Sequence, residues 1–335
     1  MIKKTDDIKS LGKQYYDNAN IFFQPEYAAF IQSTGKHTIY CYSEKYIIPI
    51  VITKRAFFRY GQLMSEPFCY DESAKEDMTI FLDELLLFLE KELKLQWLLP
   101  TPASAFFENC PHYVKKIPFG SHVINLSLDE DLLWKKVHSK HRNVIKKAER
   151  DGVSIACGSS SKLLEDYHSM DIETWHRSSK TASEISFYHA MIEKMKDNTT
   201  IYIAYLNGIP QSGAIFFFNK QMCYYMFGAN KNNPHTGSGN LLQWHAILDM
   251  KAKGVRKYSF VGCRINEDEN SKYHGIQRFK ERFGGELVQG YMFKIVYSKW
   301  AYTLFDIIVG SSSFLHSGHF RRINDIIDQE YHKWS

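Results

Sequence analysis

Residues 200–230, TIYIAYLNGIPQSGAIFFFNKQMCYYMFGAN, carry the clearest fold signal in this chain. The stretch contains three runs rich in isoleucine, phenylalanine and tyrosine, which are separated by Asn207-Gly208 and by Asn219-Lys220. Asn-Gly between apolar runs is the strongest short-range signal for a β-hairpin, because both residues tolerate a positive φ. The stretch therefore predicts an antiparallel meander of three strands.

Helical patterns surround this meander. Residues 240–254 carry Leu241 and Trp244 on one apolar stripe, and the run ends in a glycine, as helices often do. Residues 162–178 predict another helix, and residues 257–262 predict a strand. This order of elements predicts an α+β unit with a mixed sheet: helices come first, an antiparallel meander follows, and a further helix and a strand close the unit.

The N-terminal part of the chain alternates strands and helices. Residues 37–53 predict two short strands, rich in isoleucine, valine and tyrosine, that are joined at residues 43–45. Residues 73–94 predict a helix with apolar side chains at helical spacing. Ser73 and Glu76 are spaced as a capping box, which places the start of this helix at Ser73.

A strand with period-two alternation at residues 122–128 indicates where a second unit begins. A length of 335 residues fits two ordinary domains, each able to bury its own core. The predicted fold class is therefore α+β with two domains, 1–120 and 121–296. Each is expected to contain a mixed, mostly antiparallel sheet flanked by helices.

Composition indicates a globular protein without a disulfide framework. The formal charge of +5 permits anionic partners but does not require them. The six cysteines are scattered and form no C-x-x-C pair, which is typical of reduced thiols. The polar N-terminus and the lack of a long apolar run lead us to expect a soluble, cytoplasmic protein.

A basic helix is predicted from Ser127 to Asp151-Gly152, with Glu130 completing a capping box. Its apolar stripe consists of Leu133, Val137, Val144 and Ala148. Three cations fall on the opposite face at 100° per residue: Lys135, Arg142 and Lys146. This face is either an anion-binding strip for a substrate such as tRNA or the solvated back of a helix.

The loop at residues 232–240, NNPHTGSGN, precedes a predicted helix and invites a phosphate-binding interpretation. Acetyl-CoA-dependent N-acetyltransferases carry a similar loop, with Gln or Arg three residues before the first glycine. Pro234 occupies that position and offers neither a charge nor an N–H group. Bound CoA is therefore the less expected option, and no other organic cofactor is indicated.

Histidine pairs at positions 138 and 141, and at 316 and 319, could meet on a helix face. Neither pair has an obvious acidic third ligand, so no metal site is predicted. The sequence also contains no Walker loop and no G-x-S-x-G motif. Nucleotide-triphosphate hydrolysis and serine-nucleophile hydrolysis are thus not expected.

The order of several motifs resembles the FemABX family, the aminoacyl-tRNA-dependent transferases that build interpeptide bridges in bacterial peptidoglycan. The motifs are, in order, FFQPEYAAF at 22–30, LWKKVHSKHRNVIKKAERDGV at 133–153, LLQWHAI at 241–247, YSFVG at 258–262 and YHGIQRFKERFGGELVQ at 273–289. The last motif is the most specific. The resemblance implies two tandem GNAT-like domains, with the C-terminal segment 297–335 packing back on the first domain.

The same resemblance implies roles for residues of the last motif. It places Phe279 and Lys280 in the peptide-forming channel of the second domain. A fixed cation there can stabilise the negative charge that develops on the carbonyl oxygen during aminoacyl transfer. Tyr273, His274 and Arg278 are the substrate-binding candidates of this motif. The implied partners are charged tRNA as a co-substrate and a peptidoglycan precursor as the acceptor.

Family members that use a soluble UDP-linked muropeptide hold its diphosphate with basic and tyrosine side chains. In residues 177–191, Glu184 stands where an arginine is expected, and Lys180 is out of register. The acceptor is therefore expected to be lipid-linked or not a muropeptide. Residues 267–269 are three adjacent acids, which suit a solvated loop better than a general base.

Two other functions remain open on the sequence alone. One is a GNAT-type N-acyltransferase that uses CoA or a carrier-protein thioester on an amino sugar or lipid precursor. The other is a non-catalytic protein that binds RNA or a membrane surface. Residues 297–325 place Trp300, Leu304, Phe305, Ile308 and Val309 on one helical face, ahead of Arg321-Arg322. This segment either docks on the inner face of the membrane or packs on the first domain.

Overall fold

The computed structural model describes residues 1–178, 180–265, 271–317 and 325–331. The chain divides into two compact units. Unit 1 comprises Met1–Gly120 and Gln289–Ser335, and unit 2 comprises Ser121–Val288. None of the helices in the described parts of the chain is both long and apolar enough to cross a bilayer.

The first segment of unit 1 alternates strands with two helices. Its elements are β1 Lys3–Thr5, α1 Pro25–Ser33, β2 His37–Tyr42, β3 Tyr46–Arg55, β4 Phe58–Leu63, β5 Phe68–Cys69, α2 Met78–Lys91 and β6 Trp97–Leu99. Short 3-10 helices cover Ile8–Leu11, Lys13–Tyr15 and Ile21–Phe23. The two strands predicted at residues 37–53 are thus present as β2 and β3, with their turn at residues 43–45.

Strand β7, Lys115–Asn125, begins in unit 1 and ends in unit 2. The further elements of unit 2 are α3 Glu130–Lys136, α4 Ser139–Arg150, β8 Ser154–Gly158, α5 Ser161–Arg177, α6 Ile185–Met195, β9 Thr199–Leu206, β10 Ile209–Phe218, β11 Met222–Asn230, α7 Ser238–Ala252, β12 Lys257–Arg264 and α8 Lys272–Glu281. A short 3-10 helix covers Lys196–Asn198. Strand β13, Glu286–Val296, begins in unit 2 and ends in unit 1, where α9 Lys299–Ser317 and α10 Ile326–Glu330 follow.

The sheet of unit 1 is mixed. Neighbouring strands β1 to β4 pair antiparallel, β4 pairs parallel with β6, and β6 pairs antiparallel with β13. Helix α2 buries Phe81, Leu85 and Leu89 against this sheet, where they pack with Ile39 and Ile50. These branched and aromatic side chains form the main apolar core of the unit.

The sheet of unit 2 contains the predicted meander. Strands β8, β9, β10 and β11 pair antiparallel in that order, and β11 pairs parallel with β12. Asn207 and Gly208 both have positive φ, at 52° and 74°, as the predicted tight hairpin requires. Helices α4 and α7 cover one face, where Ile145 and Ile247 join Phe216 in the core.

The predicted start of helix α2 is wrong. The helix begins at Met78, and its N-cap is Asp77, whose carboxylate accepts hydrogen bonds from the amides of Thr79 and Ile80. Ser73 instead donates to Asp71 in the preceding loop. Asp and Ser are about equally good N-caps, so the spacing of Ser73 and Glu76 could not decide between the two starts.

The predicted basic helix is two helices rather than one. Helix α3 ends at Lys136, Val137 adopts an extended conformation, and α4 begins at Ser139. His138 does not continue α3 but caps α4. Its amide donates a 2.8 Å hydrogen bond to the carbonyl of Arg282, and its Nδ1 accepts from the amide of Lys140. The break depends on a partner distant in sequence, which local periodicity does not reveal.

Candidate active site

A cavity of about 770 Å³ opens in unit 2, within the size range of small-ligand sites. Its walls come from β10 and β11, the loop before α7, the first turns of α7, and α8. Strands β11 and β12 pair from Met222 with Lys257 to Tyr224 with Ser259. Tyr225, the next residue of β11, lines the cavity, which therefore lies beyond the end of this parallel pairing.

The glycine loop lies in the wall of this cavity. Gly237 is the N-cap of α7 with a φ of +89°, and a Cβ at this position would lie 2.3 Å from the carbonyl oxygen of Val144. Glycine is therefore needed here for the close approach of α7 to α4. Gly239 has ordinary van der Waals space. Helix α7 directs its positive N-terminal end to this region, where an anion can bind.

Asn240 is a further polar group of this wall. Its Nδ2 atom is buried and has no hydrogen-bond partner among the residues that the structure describes. Nearby, Asn230 Oδ1 accepts a hydrogen bond of 2.6 Å from Ser212 Oγ. An unpaired amide donor beside a helix N-terminus suits an acceptor atom of a ligand.

The motif at residues 273–289 is helical in its first part. Ser271 caps α8 by accepting from the amide of Tyr273, and the helix runs to Glu281. Gly275, Ile276, Phe279 and Lys280 form the side of α8 that lines the cavity. Gly284, just after α8, has a φ of +81°, and a Cβ there would lie 2.6 Å from the Lys136 carbonyl oxygen.

Lys280 is buried, with 7% of its surface exposed. Its Nζ atom donates 2.7 Å to the carbonyl of Gly262 and 3.3 Å to the carbonyl of Val261, both in β12. Burial lowers the pKa of Lys280 to about 8, and nearby Cys263 opposes this shift in part. The group therefore remains mostly an ammonium at pH 7, and its ionisation lies near physiological pH.

Phe279 lines the cavity and also packs in an aromatic cluster. Its ring centroid lies 5.2 Å from that of Phe283 and 5.4 Å from that of His141. His141 Nε2 bonds the Phe279 carbonyl at 3.1 Å, and burial lowers the pKa of this histidine. His141 is thus a neutral structural residue. Phe279 combines a packing role with contact to the cavity.

The predicted strip of Lys135, Arg142 and Lys146 does not form as one face, because Lys135 lies on α3 and the other two residues lie on α4. Arg142 is turned back to the end of α3, where it donates 3.1 Å to the Lys135 carbonyl and 2.5 Å to the Val137 carbonyl. Lys146 lies 5.9 Å from the ring centroid of Trp134. None of the three lines the cavity.

The other candidates of the motif lie outside the cavity wall. Arg278 Nη2 and His274 Nε2 are 2.8 Å apart on the helix face opposite Ile276. The guanidinium of Arg264 lies 4.0 Å from the ring centroid of Tyr273. The structure therefore places Phe279 and Lys280 at the cavity but not Tyr273, His274 or Arg278. Residues 267–269 lie outside the described residues.

Sequence reasoning missed Arg177, which lines the cavity from the end of α5. Its Nη1 donates 2.6 Å to Asn232 Oδ1, and its Nη2 donates 3.0 Å to the Asn230 carbonyl. No sequence signal singled it out, because its partners Asn230 and Asn232 lie more than 50 residues further along the chain. Lys180, the residue considered instead, lies 5.6 Å from the ring centroid of Trp175.

No group of three or more His, Cys, Asp or Glu side chains within the described ranges could hold a metal ion. Of the two histidine pairs, positions 138 and 141 serve as a helix cap and a carbonyl partner. The side chains at positions 316 and 319 lie outside the described part of the chain.

Part of the chain is similar in sequence to known transferases. The family model of the acetyltransferase (GNAT) domain matches residues 135–281. A lipid II:glycine glycyltransferase of Staphylococcus haemolyticus is 31% identical over 94 residues, which are 28% of this chain and 22% of that relative. The match thus spans about a fifth of the relative's length.

Two solved structures have similar folds. The crystal structure of FemX matches with a TM-score of 0.66 at 14% identity, over 90% of this chain and 99% of that one. A tandem GNAT protein from the clavulanic acid biosynthesis pathway matches with a TM-score of 0.50 at 8% identity, over 89% of this chain and 99% of that one. These structural matches confirm the predicted tandem GNAT-like fold, and the partial sequence match is to a transferase of the kind that the sequence motifs resemble.

Proposed function

We propose that this protein transfers an aminoacyl group from charged tRNA to an amine of a peptidoglycan precursor. The observation that carries the proposal is the buried ammonium of Lys280 in the wall of the unit 2 cavity, within the family's most specific motif. The relative from Staphylococcus haemolyticus bears the name of a glycyltransferase that acts on lipid II. This name supports a lipid-linked precursor as the acceptor.

The chemistry of transfer explains a buried cation. The acceptor amine attacks the ester carbonyl carbon of the aminoacyl group, so a C–N bond forms and the C–O bond to the ribose breaks. The amine loses a proton, and the ribose oxygen leaves with one. Negative charge develops on the carbonyl oxygen before the C–O bond breaks. An ammonium held in a site of low polarity stabilises that charge more than water does.

The geometry of Lys280 suits this role. An ammonium has three N–H donors, and the carbonyls of Val261 and Gly262 accept two of them. The third donor is left for the reacting carbonyl oxygen. Phe279, beside it in the wall, offers an apolar surface that keeps water from the ester.

Contact with an anionic membrane surface is the second part of the proposal. Helix α9 packs one side on unit 1, where Ala301 and Phe305 contact Phe58 and Trp97. Of the two alternatives for this segment, Phe305 therefore follows the one in which the helix packs on the domain.

The other side of α9 exposes four large apolar residues: Trp300, Leu304, Ile307 and Ile308. Phe57, which contacts Phe58, adds a fifth exposed apolar side chain. The exposed cations Lys54, Arg55 and Lys299 are neighbours of this surface in sequence, which favours anionic lipid headgroups. Arg321 and Arg322 lie outside the described residues.

The deciding experiment incubates the full chain with lipid II in vesicles and a mixture of charged tRNAs, and measures product masses. Addition of one aminoacyl mass to the stem peptide supports the proposal. A chain that binds charged tRNA and lipid II but forms no product contradicts it and favours a non-catalytic binding protein.

Acyl transfer from a thioester is the second candidate, and one observation favours it. Gly237 and Gly239, at the N-terminus of α7, line the same cavity as Lys280. Such a helix end can hold the phosphates of CoA. Pro234 also lines the cavity, at the position where CoA users carry Gln or Arg. A rise in melting temperature with acetyl-CoA, and none with charged tRNA, would favour this candidate.

A further inference from the structure

Strand β12 contains a left-handed residue beside Lys280. Val261 has a φ of +49°, a region that β-branched residues rarely adopt. Such a conformation persists only where its surroundings hold it, and it is most often found at functional sites. The contacts of Val261 therefore indicate what this part of the strand is built to do.

Two buried serines bond both sides of Val261. The Val261 amide donates 3.1 Å to Ser259 Oγ, and Ser121 Oγ donates 3.1 Å to the Val261 carbonyl. The two hydroxyl oxygens lie 2.9 Å apart. When Ser259 donates to Ser121, the bonds form a closed circuit in which each hydroxyl donates once and accepts once.

Lys280 is attached to the same turn. The Val261 carbonyl accepts from both Ser121 Oγ and Lys280 Nζ, so both of its lone pairs are used. The adjacent Gly262 carbonyl accepts the shorter bond from Lys280. The direction of the ammonium therefore depends on two carbonyls, and the direction of those carbonyls depends on the serine circuit.

We propose that Ser121 and Ser259 are positioning residues: they hold the Val261 turn, which aims the Lys280 ammonium into the cavity. The inference rests on the proposed function, in which that ammonium meets the reacting carbonyl oxygen. Ser121 lies on β7 and Ser259 on β12, so tertiary structure alone brings the two hydroxyls together.

Other titratable groups near Lys280 do not obscure its ionisation around neutral pH. Within the described residues, those that face it are Cys263 on β12 and His122 on β7, and Glu281 follows it in α8. Burial raises the pKa of the Cys263 thiol to about 11 and lowers the pKa of His122. Both are therefore neutral near pH 7, and a changed titration of Lys280 reports on the turn.

The experiment measures the ionisation of Lys280 directly. The full chain, without substrates, is acetylated with acetic anhydride at a series of pH values, and the labelling of Lys280 is read by mass spectrometry. Single-turnover transfer from charged tRNA is measured in parallel. The variants are Ser121→Ala, Ser259→Ala and the hydroxyl-retaining Ser259→Thr. Thr199→Val is the matched control, since it removes a buried hydroxyl that donates 3.0 Å to the Phe216 carbonyl elsewhere in unit 2.

We expect both alanine variants to lower the labelling midpoint, because misaligned carbonyls favour the ammonium less. The transfer rate should fall on the order of tenfold, with the KM for tRNA unchanged. Ser259→Thr should restore both values, and Thr199→Val should change neither. An unchanged or raised midpoint in folded alanine variants overturns the proposal.

Glycine adopts the left-handed φ without strain, which provides a second route if Ser259→Ala fails to fold. In that case the double variant of Val261→Gly and Ser259→Ala is used in place of Ser259→Ala. Its Lys280 labelling midpoint should also be lower than that of the wild type. Labelling needs no tRNA, so the two proposals can be judged separately. If the wild-type protein transfers no aminoacyl group, the proposed function is contradicted, but the labelling midpoints still test the role of the two serines.

Discussion

The ammonium of Lys280 lies 2.7 Å from the Gly262 carbonyl oxygen, so helix α8 is attached to strand β12 through a buried cation. No carboxylate in the described part of the chain pairs with this ammonium. A buried charge without a counter-ion is unfavourable for folding, and proteins retain such groups mainly where function requires them. This arrangement determines how variants of Lys280 should behave.

Replacement of Lys280 by Met should reduce activity without reducing stability. Loss of one such donor typically removes about 3–4 kcal/mol of transition-state stabilisation, which lowers the rate on the order of a hundred- to a thousandfold. The melting temperature at pH 7 should stay the same or rise, because a buried charge is removed. Single-turnover transfer and thermal unfolding measure the two effects, and near-normal transfer would remove Lys280 from the mechanism.

The stability of the wild-type protein should depend on pH through Lys280. Burial lowers its pKa to about 8 in the folded chain, from an ordinary value of 10.5. Between these values the unfolded chain binds more protons, so the free energy of unfolding rises with pH. Across this window, the free energy of unfolding of the wild type should rise by up to about 3 kcal/mol relative to that of Lys280→Met. Urea unfolding at pH 7, 8 and 10 measures the gain, and parallel pH profiles would contradict it.

Replacement of Arg142 and of Lys146 by alanine should have very different effects on the free energy of unfolding. Arg142 donates to carbonyls at the C-terminal end of α3, so its loss should lower the free energy of unfolding by about 2 kcal/mol. Lys146 is exposed, and its loss should matter by less than about 0.5 kcal/mol. Equal losses in urea unfolding would show that the contacts of Arg142 do not stabilise α3.

The remaining exposed cations of the basic strip can still be tested as a tRNA contact. Because Lys135 and Lys146 lie on two different helices, we expect the double variant Lys135→Ala with Lys146→Ala to show little change in the salt dependence of tRNA binding. A flatter salt dependence would instead show that these side chains touch phosphates. Filter binding at several salt concentrations, with unmodified protein as the reference, distinguishes the two outcomes.

The two glycines of the loop before α7 should respond differently to alanine. At Gly237, a Cβ would lie 2.3 Å from the Val144 carbonyl oxygen, and the φ of +89° is strained for alanine. Gly237→Ala should therefore destabilise the fold by at least about 2 kcal/mol. At Gly239 there is room, and alanine improves helix propensity, so the change should be neutral or stabilising. Thermal unfolding of both variants tests the pair.

The exposed side of α9 should bind anionic membranes. A variant with Trp300→Ser and Leu304→Ser should float less with phosphatidylglycerol vesicles, because it lacks apolar surface that enters the headgroup region. Its melting temperature should hardly change, since both side chains are substantially exposed. Equal flotation of variant and wild type would contradict membrane contact at this surface.

The sequence by itself determined the local features of this fold. The Asn207-Gly208 hairpin was predictable because its positive φ values are set by residue type and not by distant contacts. The start of the α7 stripe was also predictable, since Leu241 and Trp244 are buried at helical spacing. The resemblance of the motif at residues 273–289 to a known family implied a channel position for Phe279 and Lys280, and both residues line the cavity of unit 2.

Tertiary structure alone decided the features that depend on partners far apart in the chain. The break between α3 and α4 follows from the bond between the His138 amide and the Arg282 carbonyl. The burial of Lys280 follows from carbonyls of a different strand, and Arg177 reaches the cavity only because α5 ends beside the loop of Asn232. Periodicity and residue type specify which face of an element is apolar. They do not specify which backbone group, from which other element, meets each polar side chain.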